Sequence, residues 1–315
     1  MKPLAQTVRF TRAPWHGAKH VCTTLGALLF AFGVLAQQPE AHTSSLNGIE
    51  MYYEISGSGP PLVLLHGFTG SGRDWETFRT EYAKTYRVIV PDLRGHGRST
   101  NPSNRFTHRQ SALDVYALLD KLEIRQFKAM GISTGGMTLI HMATQQPSRV
   151  EAMVLIGATI YFPEQARVVM RRSTVETMTP EEWEDMRRTH TQGDNQIRAL
   201  RNEFHNFKDS YDDMNFTTPY LATITARTFI VHGDRDQFFP VAIPVEMYHS
   251  IPHSQLWIVP NGGHVPLEEH AAEFTRTTLV FPANRVTSEQ TSSSTGGLRS
   301  FSLHRVERLR PCGRG

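Results

Sequence analysis

The sequence predicts an α/β protein: a mostly parallel sheet with helices on both faces, and a helical segment inserted between two of its strands. Three observations carry this. Short, continuously apolar runs such as Leu62-Val63-Leu64-Leu65 recur, of the kind buried on both faces of a parallel sheet. They alternate with segments of helical apolar spacing across short loops. The alternation stops at about Ala158 and resumes near residue 221, with amphipathic helical sequence between. At 315 residues the chain can hold one large α/β domain with an insertion, or two small domains.

Taken in order, residues 1–36 read as a signal peptide. A basic stretch precedes the apolar run Leu25 to Leu35, and small residues stand before a break at Gln37. The alternative is an uncleaved membrane anchor, but the run falls short of the ~20 apolar residues a span needs. Residues 37–46 are polar and read as a linker. Strand signals begin at Asn47, with Ile49 to Ser56 alternating before the turn Gly57-Ser58-Gly59-Pro60-Pro61. Strands follow at Leu62 to Leu65 and Arg87 to Val90, and a helix at about Arg109 to Leu122. Next come the strand before Gly131, the helix after Ser133 and the strand Val150 to Gly157. In residues 158–220, helices are expected at Pro163 to Ser173, after Thr179-Pro180-Glu181-Glu182, and at Asp194 to Lys208. Such an insertion suits a lid over the carboxyl ends of the strands, where ligands of open α/β sheets bind. The sheet resumes at Arg227 to His232 and Gln255 to Pro260, with helices at Val241 to His249 and Pro266 to Leu279. The core thus comprises residues 47–157 and 221–282, and the Ser-, Thr-, Gly- and Arg-rich stretch 283–315 reads as a disordered tail.

Charge and cysteine placement exclude some functions. The formal net charge is +3, yet residues 1–36 and 283–315 each carry +4, which leaves −5 for the rest. The body therefore offers no basic surface for nucleic acid. Both cysteines, Cys22 and Cys312, lie in those same two ends, so the body has neither a disulfide nor a cysteine metal site. Metal-ligand spacings such as H-E-x-x-H are missing, and no metal or organic cofactor is expected.

The most informative stretch is Gly131-Ile132-Ser133-Thr134-Gly135. It matches G-x-S-x-G, in which a serine sits on a strained strand-to-helix turn with its hydroxyl raised above the sheet. The helix after Ser133 would point free N–H groups at a developing oxyanion. A serine hydroxyl is a poor nucleophile near neutrality, so a base must take its proton and an acid must orient that base. Asp236 and His264 stand after two later strands, in the chain order Ser, Asp, His. Asp234 competes with Asp236. His66, His96 and His232, also near strand ends, read as structural histidines, and His270 falls inside the last predicted helix. Asp92 and Arg94 read as tying a loop together, while Trp183 and Phe162 are candidates to line a pocket or to pack the insertion.

Jointly His66-Gly67-Phe68, the loop Pro91 to Ser99, the Ser133 turn, Gly233-Asp234-Arg235-Asp236 with Pro240, and Gly263-His264 resemble the α/β-hydrolase superfamily over about residues 47–279. The likeness is to its serine esterase, perhydrolase and carbon–carbon hydrolase branches with a helical cap. The resemblance implies the α/β-hydrolase fold, with Ser133 as nucleophile, His264 as base and Asp236, four residues before Pro240, as the acid. It also implies an oxyanion hole from the backbone N–H groups of Phe68 and Thr134. The expected function is that of an exported, periplasmic or extracellular serine hydrolase cleaving a carboxylic ester of a small molecule through an acyl-enzyme. Carbon–carbon hydrolase, lactonase and perhydrolase activities would keep the same triad, and a ligand-binding protein on this fold is the alternative from another class.

Overall fold

The computed structural model describes residues 38–267 and 270–281. The expected signal peptide, residue 37, residue 282 and the 283–315 tail lie outside these. The first described element departs from the linker expected over residues 37–46: Glu40–Leu46 is strand β1, pairing antiparallel with β2 (Ile49–Ser56) from Leu46 opposite Ile49 to Glu40 opposite Ile55. Asn47 and Gly48 join them with φ of 47° and 76°, the two-residue hairpin turn that Asn-Gly favours. The strand is polar because it lies at the sheet edge, where only Ser44 is buried and His42 stacks on Tyr53.

The chain continues through β3 (Pro61–Leu65), α1 (Glu76–Ala83), β4 (Arg87–Pro91), α2 (His108–Lys121), β5 (Phe127–Ile132), α3 (Thr134–Gln145) and β6 (Val150–Ile156). The insertion holds α4 (Glu164–Arg172), α5 (Pro180–Thr189) and α6 (Asp194–Asn206), and the short α7 (Thr218–Leu221) leads back to the sheet. Then come β7 (Arg227–Gly233), α8 (Ala242–Ser250), β8 (Ser254–Val259) and α9 (Ala271–Val280). The eight strands lie in the order β1-β2-β4-β3-β5-β6-β7-β8, with β1–β2 and β2–β4 antiparallel and every later neighbour parallel.

Strand alternation divides the core into two layers. Val63 and Leu65 face the layer that contains Val115 and Leu119 of α2 and Leu139 and Ile140 of α3. Leu62 and Leu64 face the other, with Phe78 and Tyr82 of α1 and Phe274 of α9. Tyr82 is fully buried, and its hydroxyl meets the Thr278 hydroxyl of α9 at 2.5 Å, so this phenol keeps a hydrogen-bond partner in the core. In the insertion, α5 begins as its sequence requires: the Thr179 side chain accepts from the Glu182 N–H, and the Glu182 carboxylate accepts from the Thr179 N–H at 2.8 Å.

The central strands therefore set the stability of the sheet. Truncation of the fully buried Leu64 to alanine is expected to destabilise the protein by about 2–5 kcal/mol, read as a lower urea midpoint with an unchanged slope.

Candidate active site

Ser133 stands between the end of β5 and the start of α3 with φ 48° and ψ −111°, a conformation rarely open to a residue with a side chain. Two hydrogen bonds hold it there: its N–H donates to the Ile156 carbonyl at 2.7 Å, and its carbonyl accepts from the Met137 N–H at 2.9 Å. The flanking glycines have a steric cause. A Cβ on Gly131 would lie 2.4 Å from the Gly135 carbonyl carbon, and one on Gly135 would lie 2.3 Å from the Leu65 carbonyl oxygen.

Asp236 follows β7 and His264 follows β8, and the three side chains meet above the sheet. The Ser133 hydroxyl lies 2.9 Å from His264 Nε2, and His264 Nδ1 lies 2.8 Å from Asp236 Oδ2. The other carboxylate oxygen of Asp236 accepts the N–H groups of Phe238 at 2.7 Å and Phe239 at 3.1 Å. Burial works to raise the Asp236 pKa, but the hydrogen bond and charge of His264 and these two amides outweigh it and hold the carboxyl below its ordinary range. An ionised acceptor at Nδ1 fixes the proton there and leaves Nε2 as the acceptor facing Ser133.

The sequence alternatives separate in space. Asp234 faces Arg235 at 3.8 Å, whereas the His264 ring is bonded by Asp236. His232 sits behind the acid loop, its Nε2 2.9 Å from the Phe239 carbonyl. His66 Nε2 accepts from the Leu93 N–H at 2.9 Å, and His96 Nδ1 bonds the Arg94 carbonyl at 2.9 Å. His270 precedes α9 and packs against Trp257. Asp92 accepts the N–H groups of Gly72 and Arg98, while Arg94 grips Asp114 through two bonds of 2.7 and 2.8 Å, so both tie loops.

Above Ser133 lies a cavity of about 560 Å³, walled by Phe68, Phe162, Phe204, Phe207, Phe238 and Phe239, with residues of α4 and α6 as its roof. Phe162 thus faces the cavity, whereas Trp183 stands apart between Arg187 and Arg198. Phe68 and Thr134 both line it, and among the described residues neither backbone N–H donates to a protein acceptor.

Two groups next to the site were not legible in the sequence. Asp213, after α6, accepts the backbone N–H groups of His108 and Arg109 at the start of α2 and bonds the His108 ring at 2.7 Å. His108 Nε2 in turn lies 3.4 Å from the Thr134 hydroxyl. Burial opposes ionisation of Asp213, yet the hydrogen bonds and charge of His108 prevail and bring its pKa down to about 2. The second group is His190, which closes α5 and reaches the loops after β3 and β4. Contacts spanning roughly a hundred residues leave no mark in local spacing.

Residues 60–221 match the alpha/beta hydrolase fold family. The chain belongs to this family. As an alpha/beta hydrolase it is 28% identical to a 2-hydroxymuconate semialdehyde hydrolase of Pseudomonas sp. (strain CF600), over 72% of this chain and 88% of that one. It is 24% identical to the serine hydrolase BPHL of Mus musculus, over 88% of this chain and 96% of that one. Among solved structures, an enol-lactonase from Burkholderia xenovorans LB400 superimposes with a TM-score of 0.63 at 23% identity, covering 77% of this chain and all (100%) of that one, a likeness of fold.

Two buried histidines are expected to weaken the fold in acid. Burial lowers the pKa values of His141 and His190 to about 4, so both are neutral when folded and take up protons on unfolding. Their contribution is complete above the unfolded value near 6.5 and falls as pH drops towards 4, by about 1.4 kcal/mol per pH unit for each group. Urea midpoints measured from pH 7 to pH 4 are expected to fall across this window.

Proposed function

We propose that the protein cleaves a carboxylic ester, or a related acyl bond of a small molecule, through an acyl-enzyme on Ser133. The observation that carries the reading is the unbroken line from Asp236 through His264 to the Ser133 hydroxyl, at 2.8 and 2.9 Å. In this reading His264 Nε2 takes the hydroxyl proton as Oγ attacks the carbonyl carbon, and Asp236 steadies the imidazolium that forms. Charge that develops on the carbonyl oxygen is met by the backbone N–H groups of Phe68 and Thr134, both at the cavity wall. His264 then returns the proton to the leaving alkoxide. A water molecule repeats the attack on the acyl group, with His264 again as base, and Ser133 is regenerated.

The cavity supports an apolar acyl group, since aromatic rings from the loop after β3, the insertion and the acid loop close around the space above Ser133. Export through the N-terminal segment belongs to this proposal and rests on the apolar run Leu25 to Leu35 and the small residues after it. Among the described residues no helix is long and apolar enough to cross a membrane.

A second reading keeps the triad and replaces the ester with a carbon–carbon bond. It is favoured by the likeness to 2-hydroxymuconate semialdehyde hydrolase over most of both chains. Turnover of 2-hydroxymuconate semialdehyde at a higher kcat/KM than any p-nitrophenyl ester would select it.

The ester reading is tested with p-nitrophenyl acetate and a fluorophosphonate probe. A burst of p-nitrophenol and a probe adduct mapped to Ser133 are expected, both lost in Ser133→Ala. Asp236→Asn is expected to lower kcat by roughly 10⁴-fold because it leaves the imidazole in the wrong tautomer. Wild-type protein that neither releases p-nitrophenol nor takes the probe would overturn the reading.

A further inference from the structure

We propose that His190 is a positioning residue for the turn that presents the Phe68 amide, an inference that rests on the hydrolytic reading above. The turn runs from Gly67 to Gly70 and closes through the Gly70 N–H to the Gly67 carbonyl at 3.1 Å. Its third residue is Thr69 with φ 63°. This place in the turn favours glycine or asparagine, and a β-branched residue rarely holds it. Something outside the turn must stabilise the conformation. The Thr69 hydroxyl bonds the Phe68 carbonyl at 2.6 Å, and the Thr69 carbonyl accepts from His190 Nε2–H at 3.0 Å.

His190 comes from the insertion, not from the sheet. It is 2% exposed, and its other ring nitrogen accepts the Gly97 N–H at 2.9 Å. One imidazole therefore bridges the loop after β3 and the loop after β4, using one nitrogen as donor and the other as acceptor. Burial keeps this ring neutral, as the arrangement requires. Neighbouring bonds fix the bridge on the same ground: Thr191 N–H donates to the Gly97 carbonyl at 3.1 Å, and the Gln196 amide donates to the carbonyls of Gly95 at 2.9 Å and Gly97 at 3.1 Å.

The consequence falls on one step of the chemistry. Without His190 the Thr69 carbonyl loses its donor and the turn relaxes from its left-handed third residue. The Phe68–Thr69 peptide then reorients, and the preceding peptide, which carries the Phe68 N–H at the cavity wall, is no longer fixed from its C-terminal side. Phe68 also packs on Phe207 at 5.0 Å and His96 at 4.8 Å, so its ring stays seated while the main chain around it loses its fixed orientation. Aromatic walls that bind the ground state are unchanged, and the loss is felt where charge develops in the transition state.

The test uses the full chain, with p-nitrophenyl acetate turnover and hydrogen exchange over residues 67–70. His190→Ala is expected to lower kcat by about tenfold or more with KM changed less than about threefold, and to speed exchange in that segment. His190→Gln keeps an acceptor and a donor and is expected to retain most of the rate; it also carries the test if His190→Ala does not fold. Adding Thr69→Gly to His190→Ala removes the strained side chain and is expected to recover kcat severalfold, which a general loss of stability would not show. Unchanged exchange, or a loss of rate that neither His190→Gln nor Thr69→Gly relieves, would overturn the inference. If the wild type neither hydrolyses the ester nor labels at Ser133, the hydrolytic reading has failed, whereas exchange still decides whether His190 holds the turn.

Discussion

Two backbones pass each other at the end of β5 more closely than side chains allow, and the rim of the sheet is built from that contact. Gly131 and Gly135 let α3 turn back against β5 and against Leu65 of β3. Ser133, caught between them, takes a positive φ that costs on the order of 1–3 kcal/mol. The surrounding sheet holds it there through the Ile156 carbonyl, itself at the end of the neighbouring strand β6. The same geometry leaves the first N–H groups of α3 unpaired beside the serine, so conformational strain and electrostatic function have one origin.

From this point the remaining chemistry is a matter of strand order. β6 separates β5 from β7, and β8 lies beyond β7, so His264 must reach back across the sheet to meet Ser133. Asp236 lies closer, at the end of β7, and receives the imidazole from the far side. The acid is fastened in turn by the amides of Phe238 and Phe239, with His232 packed behind them. Burial of an unpaired carboxylate would be costly; here each oxygen has a donor, and the charge needed to orient His264 is retained.

The strands, the two helical layers and the three side chains of the candidate site are legible in the sequence because each leaves a local mark. Continuous apolar runs indicate strands such as β3, and glycine spacing marks the serine turn. Asp236 and His264 come shortly after β7 and β8, and the resemblance, which places the acid four residues before Pro240, separates Asp236 from Asp234. β1 left a weaker mark, since an edge strand needs few apolar residues, and its one clear signal is the Asn47-Gly48 turn. The bonds from Asp213 to His108 and from His190 to Thr69 join segments 105 and 121 residues apart. Nothing in the spacing of a lone histidine or aspartate announces them, because they depend on how the insertion settles on the sheet. Trp183 shows the converse: a large aromatic in the insertion suggests a pocket wall, yet it stacks with arginines at the surface.

Gly157 directly follows β6 with φ 55°, and an added Cβ would stand 2.3 Å from the His264 carbonyl oxygen and 3.4 Å from its ring. The base is thus seated directly on a neighbouring main chain, with no side chain between them to be exchanged for another. Such a rim is closed to gradual variation, whereas the roof is formed by residues of α4 and α6, such as Val169, Met170, Arg201 and Phe204, for which no such main-chain contact constrains the residue type. Divergence in substrate preference within this architecture is therefore channelled into the insertion, and chemistry and selectivity can evolve on separate parts of one chain.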